Sequence, residues 1–203
     1  MKVEIWSDIA CPFCYIGKRH FEKALESLPF KESIDVEWKS FELDPYAIQD
    51  YEDDLYTLLA NKYGQSREWA VNSAENMKER GKDVGLTFNF DETISTNTFD
   101  AHRMIHLAKS KGLQDDAEEA LFEAYFRDGR HIGTKHVIRE IGREIGLDDQ
   151  ELSTMLNSDM YAKDVIEDEQ LSQQFGIRGV PYFVINRKYG ISGAQPVSQF
   201  VEV

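Results

Sequence analysis

The two cysteines of this 203-residue chain stand three residues apart, in Ala10-Cys11-Pro12-Phe13-Cys14. Two cysteines scattered at random over such a length would be so spaced about once in a hundred, so the spacing is itself a signal. Thiols this close can cycle between a dithiol and a disulfide, and the thiolate is the reacting form. Pro12 has no amide hydrogen and suits the first position of a helix. Cys11 then falls at the N-cap and Cys14 at the third helical residue. The free amides of Phe13 and Cys14 should point at the Cys11 sulfur, where a cap residue ordinarily offers an oxygen. The positive helix end also favours an anion. Both effects are expected to lower the Cys11 pKa and make it the nucleophile. Cys14, inside the first turn, is placed to resolve a mixed disulfide.

Other uses of these residues are weaker. A zinc site needs about four ligands. The histidine nearest the pair, His20, lies nine residues past Cys11, which puts it on the opposite helix face. Inert buried cysteines are the remaining alternative. His102 and His106 have a chelating spacing on a predicted helix, but no third ligand is evident, so no metal is expected. Lys18 shares the helix face of Cys11 at about 10 Å along the axis, where salt screens it strongly. Asp115-Asp116 with Glu118-Glu119, and Glu167-Asp168-Glu169, read as solvated helix faces. No glycine-rich phosphate loop is present, and scattered residues make no case for a Ser–His–Asp triad.

The elements that must position the pair follow from periodicity. Val3 and Ile5 alternate with Lys2 and Glu4, a strand over 2–8. Ile16, Phe21, Ala24, Leu25 and Leu28 recur at helical spacing, a helix over 12–28 ended by Pro29. Ile34, Val36 and Trp38 mark a second strand reaching about Phe41. A strand–helix–strand unit of this kind makes a parallel pair. Helices are then expected over 51–63, 66–83, 98–111, 114–127, 134–145, 149–157 and 161–174. Gly64, Gly81, Gly112, Gly129 and Gly146 mark their ends. Residues 85–95 read as extended loop. Tyr182–Ile185 is a short buried strand, Ile191-Ser192 begins its hairpin partner, and 196–203 leaves room for a helical turn or two. The expected architecture is an α/β sheet, residues 1–43 and 176–203, with an all-helical insertion, residues 44–175. The last inserted helix is expected to pack on the sheet.

Composition limits the partners. Lys and Arg total 23 against 37 Asp and Glu, a net charge of −14, which disfavours phosphate backbones and anionic lipid. A hydrophobic fraction of 41% argues against disorder. No apolar run approaches the ~20 residues of a membrane span. Acids in the first eight residues are unlike a signal peptide, so a cytoplasmic location is expected. Val180-Pro181, after Gly179, is either an ordinary trans bond at a strand start or a cis turn. The residues alone leave both open.

Taken together, these segments resemble the DsbA-like thioredoxin superfamily, in its FrnE-like branch. The likeness is carried by Ser7-Asp8-Ile9-Ala10 before Cys11-Pro12-Phe13-Cys14-Tyr15-Ile16-Gly17-Lys18, and by Asn97-Thr98-Phe99-Asp100-Ala101-His102-Arg103. Gly179-Val180-Pro181-Tyr182-Phe183-Val184 and Gly190-Ile191-Ser192-Gly193-Ala194-Gln195-Pro196 complete it. It implies a thioredoxin fold with a helical insertion and dithiol–disulfide exchange. It also implies a cis Val180–Pro181 bond beside the cysteines, with Pro181 aligning substrate backbone across Cys11. Pro12, Phe13, Val180, Asn97 and His102 are then expected to contact substrate. No cofactor is implied beyond glutathione or another small thiol as redox partner. The partners expected are protein or small-molecule thiols and disulfides.

Two departures qualify the likeness. Strong oxidants of the wider group carry His between the cysteines, where this chain has Phe13. A Cys11 pKa above the ≈ 3.5 extreme and a potential less oxidising than ≈ −120 mV are therefore expected. The additional C-terminal cysteine pair of longer members is not found through Val203, so no internal disulfide relay is expected. The kappa-type glutathione transferases and hydroxychromene-carboxylate isomerases are similar in fold but usually place Ser at the first cysteine. A glutathione-linked isomerase or transferase of small aromatic molecules is thus the first alternative. A non-catalytic, chaperone-like peptide binder is the second.

Overall fold

The computed structural model describes all 203 residues. Strand β1 (Lys2–Ser7) lies inside a four-stranded sheet of order β2-β1-β3-β4. β2 (Asp35–Ser40) runs parallel to it, with Ile5 opposite Trp38. β3 (Tyr182–Ile185) runs antiparallel on its other side, with Ile5 opposite Phe183. β4 (Tyr189–Ser192) completes the hairpin. Helix α1 (Pro12–Ser27) joins the parallel pair, as the strand–helix–strand pattern predicts.

β1 is buried on both faces, so its polar side chains need internal partners. The Glu4 carboxylate accepts Arg187 Nε and Nη2, both at 3.0 Å. Trp6 Nε1 donates to the Asp168 carbonyl at 2.9 Å. The outer edge of β2 is closed by side chains. Gln114 accepts from the Trp38 amide at 3.1 Å and donates to its carbonyl at 2.9 Å. The Ser40 amide donates to Asp168 Oδ2 at 3.1 Å. These side chains stand in for a further strand and remove an open edge.

Between β2 and β3 the chain is helical: α2 (Leu55–Tyr63), α3 (Arg67–Lys82), α4 (Phe99–Lys109), α5 (Gln114–Phe122), α6 (Lys135–Glu144), α7 (Asp149–Leu156) and α8 (Ala162–Gln174). A short α9 (Val197–Glu202) follows β4 and packs on α1. α8 packs on β2 and α4. Every residue of α4 from Ala101 to Ala108 is buried, the pattern of a helix covered all round. Val3, Ile5 and Phe183 of the sheet share one continuous core cluster with Leu107, Leu121 and Phe126 of the helices.

Several boundaries differ from expectation for local reasons. α2 starts at Leu55, not 51, because Asp54 caps it, accepting from the Thr57 amide at 2.8 Å. The helix expected over 114–127 passes into a π turn at Glu123–Arg127. Gly81 lies within α3 and does not end it. The Phe88 ring sits 2.8 Å from where a Cβ would stand, so this glycine permits close approach. Gly64, at φ 62°, does end α2. Residues 85–95 form no strand, but they turn Leu86, Phe88 and Phe90 into the core.

The acidic runs expected to be solvated faces are partly internal. Asp168 is buried and pairs with Lys39 Nζ at 3.0 Å and His106 Nε2 at 3.2 Å. Burial opposes its ionisation, but these partners and the Ser40 amide hold its pKa below the ordinary value. Glu118 is buried outright. Lys18 is buried too, between Glu22, Asp115 and Glu119.

Gly17, on α1, faces the proline of the last turn before β3. A Cβ there would stand 2.9 Å from Pro181 Cγ and 3.5 Å from Phe183 Cζ. Gly17→Ala is therefore expected to cost about 1–3 kcal/mol by overpacking. A lower urea midpoint at unchanged m would show it; an unchanged midpoint would mean that the proline loop gives way freely.

Candidate active site

The turn after β1 presents the cysteines. The Cys11 amide donates to the Asp8 carbonyl at 3.0 Å, and Cys11 then caps α1 in extended conformation with Pro12 at the first helical position. The N-cap position is as expected, but the capping bond is not. The Cys11 side chain accepts no amide of the first turn. Its thiol instead donates to the Val180 carbonyl at 3.6 Å. The Val180–Pro181 bond is cis. The sequence ends that carry Cys11 and Pro181 thus meet at one point.

Both cysteines are free thiols. Cys11 is 4% exposed and lies on the wall of a cavity; Cys14 is 0% exposed, behind it. Burial, reinforced by the neighbouring Cys11 thiol, pushes the Cys14 pKa well above its ordinary value. The Asp8 backbone and the Ser7 hydroxyl beside it pull it partly back.

Ser7 connects this thiol to a buried carboxyl. Its Oγ donates to Glu118 Oε1 at 2.6 Å. A hydroxyl has one proton, so while it donates to Glu118 it cannot also donate to the Cys14 sulfur. Burial pushes the Glu118 pKa up to about 7, although Ser7, His102 and Lys18 counter it. His102 is buried beside Asp8, its Nε2 3.5 Å from Asp8 Oδ1 without a well-aligned hydrogen bond. Burial opposes the imidazolium, but Asp8, Glu118 and Glu42 outweigh it and hold the pKa above the ordinary value. Glu42 is also raised by burial to about 7. Asp8 joins the cluster to the loop after β2, accepting from the Leu43 amide at 2.8 Å.

The cavity has a volume of about 740 Å³. Asp8, Cys11, Pro12 and Phe13 form one wall, and α2 and α3 form the facing one. Phe13 is 37% exposed, and the Arg80 guanidinium of α3 lies over its ring at 5.0 Å. Of the expected substrate contacts, the structure brings Pro12 and Phe13 to this cavity. Val180 and Pro181 meet Cys11 from another side. Asn97 and His102 reach neither place. Asn97 accepts from the Phe99 amide at 2.9 Å at the start of α4 and donates to Glu42 at 3.3 Å. His102 is sealed inside.

No group of three or more His, Cys, Asp and Glu side chains is arranged to hold a metal. His106 and His102 face different partners, Asp168 with Ser40 and Asp8 respectively. Sequence reasoning missed Ser7, Asp8, Glu42 and Glu118. A signal existed for Glu118: it falls at helical spacing with Gln114, Leu121 and Phe122, all buried. No helix is long and apolar enough to cross a membrane.

Comparison with known proteins follows this geometry. A Streptomyces coelicolor structure described as a "probable DsbA oxidoreductase" matches at TM-score 0.95 and 40% identity, over 100% of this chain and 87% of that one. The cytosolic disulfide reductase DsbM from Pseudomonas aeruginosa matches in fold at TM-score 0.70 and 15% identity, over 100% and 96%. A 2-hydroxychromene-2-carboxylate isomerase does so at TM-score 0.70 and 12% identity, over 96% and 89%. The family model for the DSBA-like thioredoxin domain matches residues 2–203. With cysteines, cis proline and helical insertion arranged as described, this chain belongs to the DsbA-like thioredoxin family of thiol oxidoreductases.

Proposed function

We propose that this protein is a thiol–disulfide oxidoreductase acting through Cys11 and Cys14 in a cytosolic setting. The reading rests chiefly on the contrast between the two thiols: Cys11 opens on a cavity beside Val180 and Pro181, while Cys14 is sealed behind it. In the reducing direction, the Cys11 thiolate attacks one sulfur of a substrate disulfide. A Cys11–substrate disulfide forms, and the first substrate thiolate leaves and takes a proton from water. Cys14 then passes its proton through the Ser7 hydroxyl to Glu118. The Cys14 thiolate attacks Cys11 Sγ, the internal disulfide forms, and the second substrate thiol is released. The substrate gains two electrons and the protein loses two. A dithiol or small-thiol reductant resets the pair. Oxidation of a substrate dithiol is the same path reversed, and the redox partner decides the direction.

Val180 and Pro181 lie where they can hold a substrate backbone across Cys11. A glutathione complex has been solved for DsbM, which supports a small thiol as one partner here. The second reading, a glutathione-linked isomerase or transferase, draws on the cavity and on the shared fold of the hydroxychromene-carboxylate enzyme. It needs no second cysteine. Disulfide exchange requires one.

Titration of the pair in glutathione buffers, read by alkylation mass, is expected to give one two-electron transition between about −270 and −120 mV. Cys14→Ser is expected to trap a mixed disulfide at Cys11, and Cys11→Ser to form none. Failure of the wild-type pair to close at any poise would overturn the dithiol mechanism.

Glu118 supplies a pH signature. Its folded-state pKa, about 7, lies above the ordinary 4.5. The stability tied to the neutral carboxyl is therefore complete below pH 4.5 and is lost as the pH rises through about 7. Glu118→Gln should remove that loss, worth at most about 3 kcal/mol, in unfolding measured from pH 4.5 to 8. The same variant should slow internal resolution of a Cys11 mixed disulfide by about 10-fold or more at pH 7, with the gap closing at high pH. Equal rates at pH 7 would remove Glu118 from the proton path.

A further inference from the structure

We propose that the cavity beside Cys11 binds a low-molecular-weight aromatic disulfide that is uncharged or cationic, and that it discriminates against anionic thiols and disulfides such as glutathione. This rests on the dithiol reading above and names a substrate class for the same cysteine.

Size and position come first. A volume of about 740 Å³ lies inside the range of small-molecule sites. Cys11, Pro12 and Phe13 are themselves part of the wall, so a molecule held inside would place a sulfur directly against Cys11. No residue of the Val180–Pro181 loop lines the cavity. A small molecule and an extended peptide would therefore approach the same sulfur from different sides.

The lining sets the chemistry. Sixteen of the 25 lining residues are hydrophobic, and Leu55, Leu58, Leu59, Trp69, Met77 and Phe126 make a surface suited to flat aromatic groups. Its charged side chains are Asp8, Asp44 and Lys62, two acids against one base. No arginine lines it, although Arg is the usual clamp for a carboxylate. Arg80 is stacked over Phe13. Glutathione carries two carboxylates and one ammonium at neutral pH. Desolvating its second carboxylate in this wall would leave that anion without a bidentate partner, an unfavourable placement. The chain as a whole, at −14, adds repulsion of the same sign.

The reaction balances as ordinary exchange. Cys11 displaces one aromatic thiolate, which takes a proton from solvent. Cys14 then displaces the second, and the protein is left with the internal disulfide. A dithiol reductant such as dithiothreitol returns the two electrons.

The test is stopped-flow oxidation of the reduced full-length protein by neutral 4,4′-dithiodipyridine, dianionic 5,5′-dithiobis(2-nitrobenzoate), cystamine and oxidised glutathione. Each rate is divided by that of the same probe with free N-acetylcysteine. The neutral aromatic probe is expected to show saturation, and a normalised rate at least about tenfold above the dianionic aromatic one, a ratio equivalent to ~1.4 kcal/mol. Leu58→Arg, which puts a cation into the wall, is expected to reverse that ratio. Trp69→Ala, at a partly exposed site safe for folding, should lose the saturation. Flat normalised rates, or a preference for oxidised glutathione, would overturn the proposal while leaving dithiol exchange intact. If no probe oxidises the pair, the dithiol reading falls as well.

Discussion

A thiol cut off from water can become a nucleophile only if something inside the protein takes its proton. In the proposed exchange, the buried Cys14 is in that position. The acceptor path proposed for it begins at Ser7, the last residue of β1, and ends at Glu118 on α5. These two elements must be held in fixed register for a 2.6 Å contact to persist. The register is set at the other edge of the sheet, where Gln114, one turn before Glu118, bonds both the amide and the carbonyl of Trp38. The strand-like grip of Gln114 on β2 and the proton path of Glu118 are therefore consequences of one helix placement.

The carboxyl and imidazole groups behind the cysteines are costly to bury. Ion pairs at such depth are weak evidence for stability, because desolvation offsets much of their attraction. What they supply is a shared proton economy near neutrality. Glu118 and Glu42 are both brought to about 7 by burial, and the acids around His102 hold its pKa above the ordinary value. Groups poised in this range exchange protons at little cost, a property suited to acid–base work. The same cluster joins the dithiol turn to the loop after β2 through Asp8, which accepts from the amide of the cavity-lining Leu43.

Much of this was legible in the sequence because it depends on local pattern. The cysteine spacing, Pro12 at the first helical turn, the alternating strands and the helical block all follow from short-range rules. What was hidden depends on which helix face turns inward. Glu118 and Asp168 sit in acidic runs that look solvated, yet each shares helical spacing with buried neighbours: Leu121 and Phe122 for one, Val165 and Ser172 for the other. Charge density masked the period. Gly81 looked like a helix stop because the Phe88 ring that occupies its missing side chain comes from a loop with no pattern of its own. His102 and Asn97 belong to a segment legible as a motif, but only packing reveals that one is sealed beside Asp8 and the other accepts from the Phe99 amide at the start of α4.

The arrangement around Cys11 separates two tasks that a motif alone would merge. In the proposed reading Cys11-Pro12-Phe13-Cys14 carries the reaction, and the Cys11 thiol donates to the Val180 carbonyl on the sheet side. Neither says what the substrate is. The proposal assigns that choice to the cavity, where α2 and α3 contribute leucines, a tryptophan and a single lysine. Phe13 links the two halves, because its ring stacks under the Arg80 guanidinium of α3 at 5.0 Å. An imidazole at that position would act on the thiolate; a phenyl ring acts on the helix instead. The residue between the cysteines therefore shapes the ligand wall, and chemistry and specificity can vary independently on this fold.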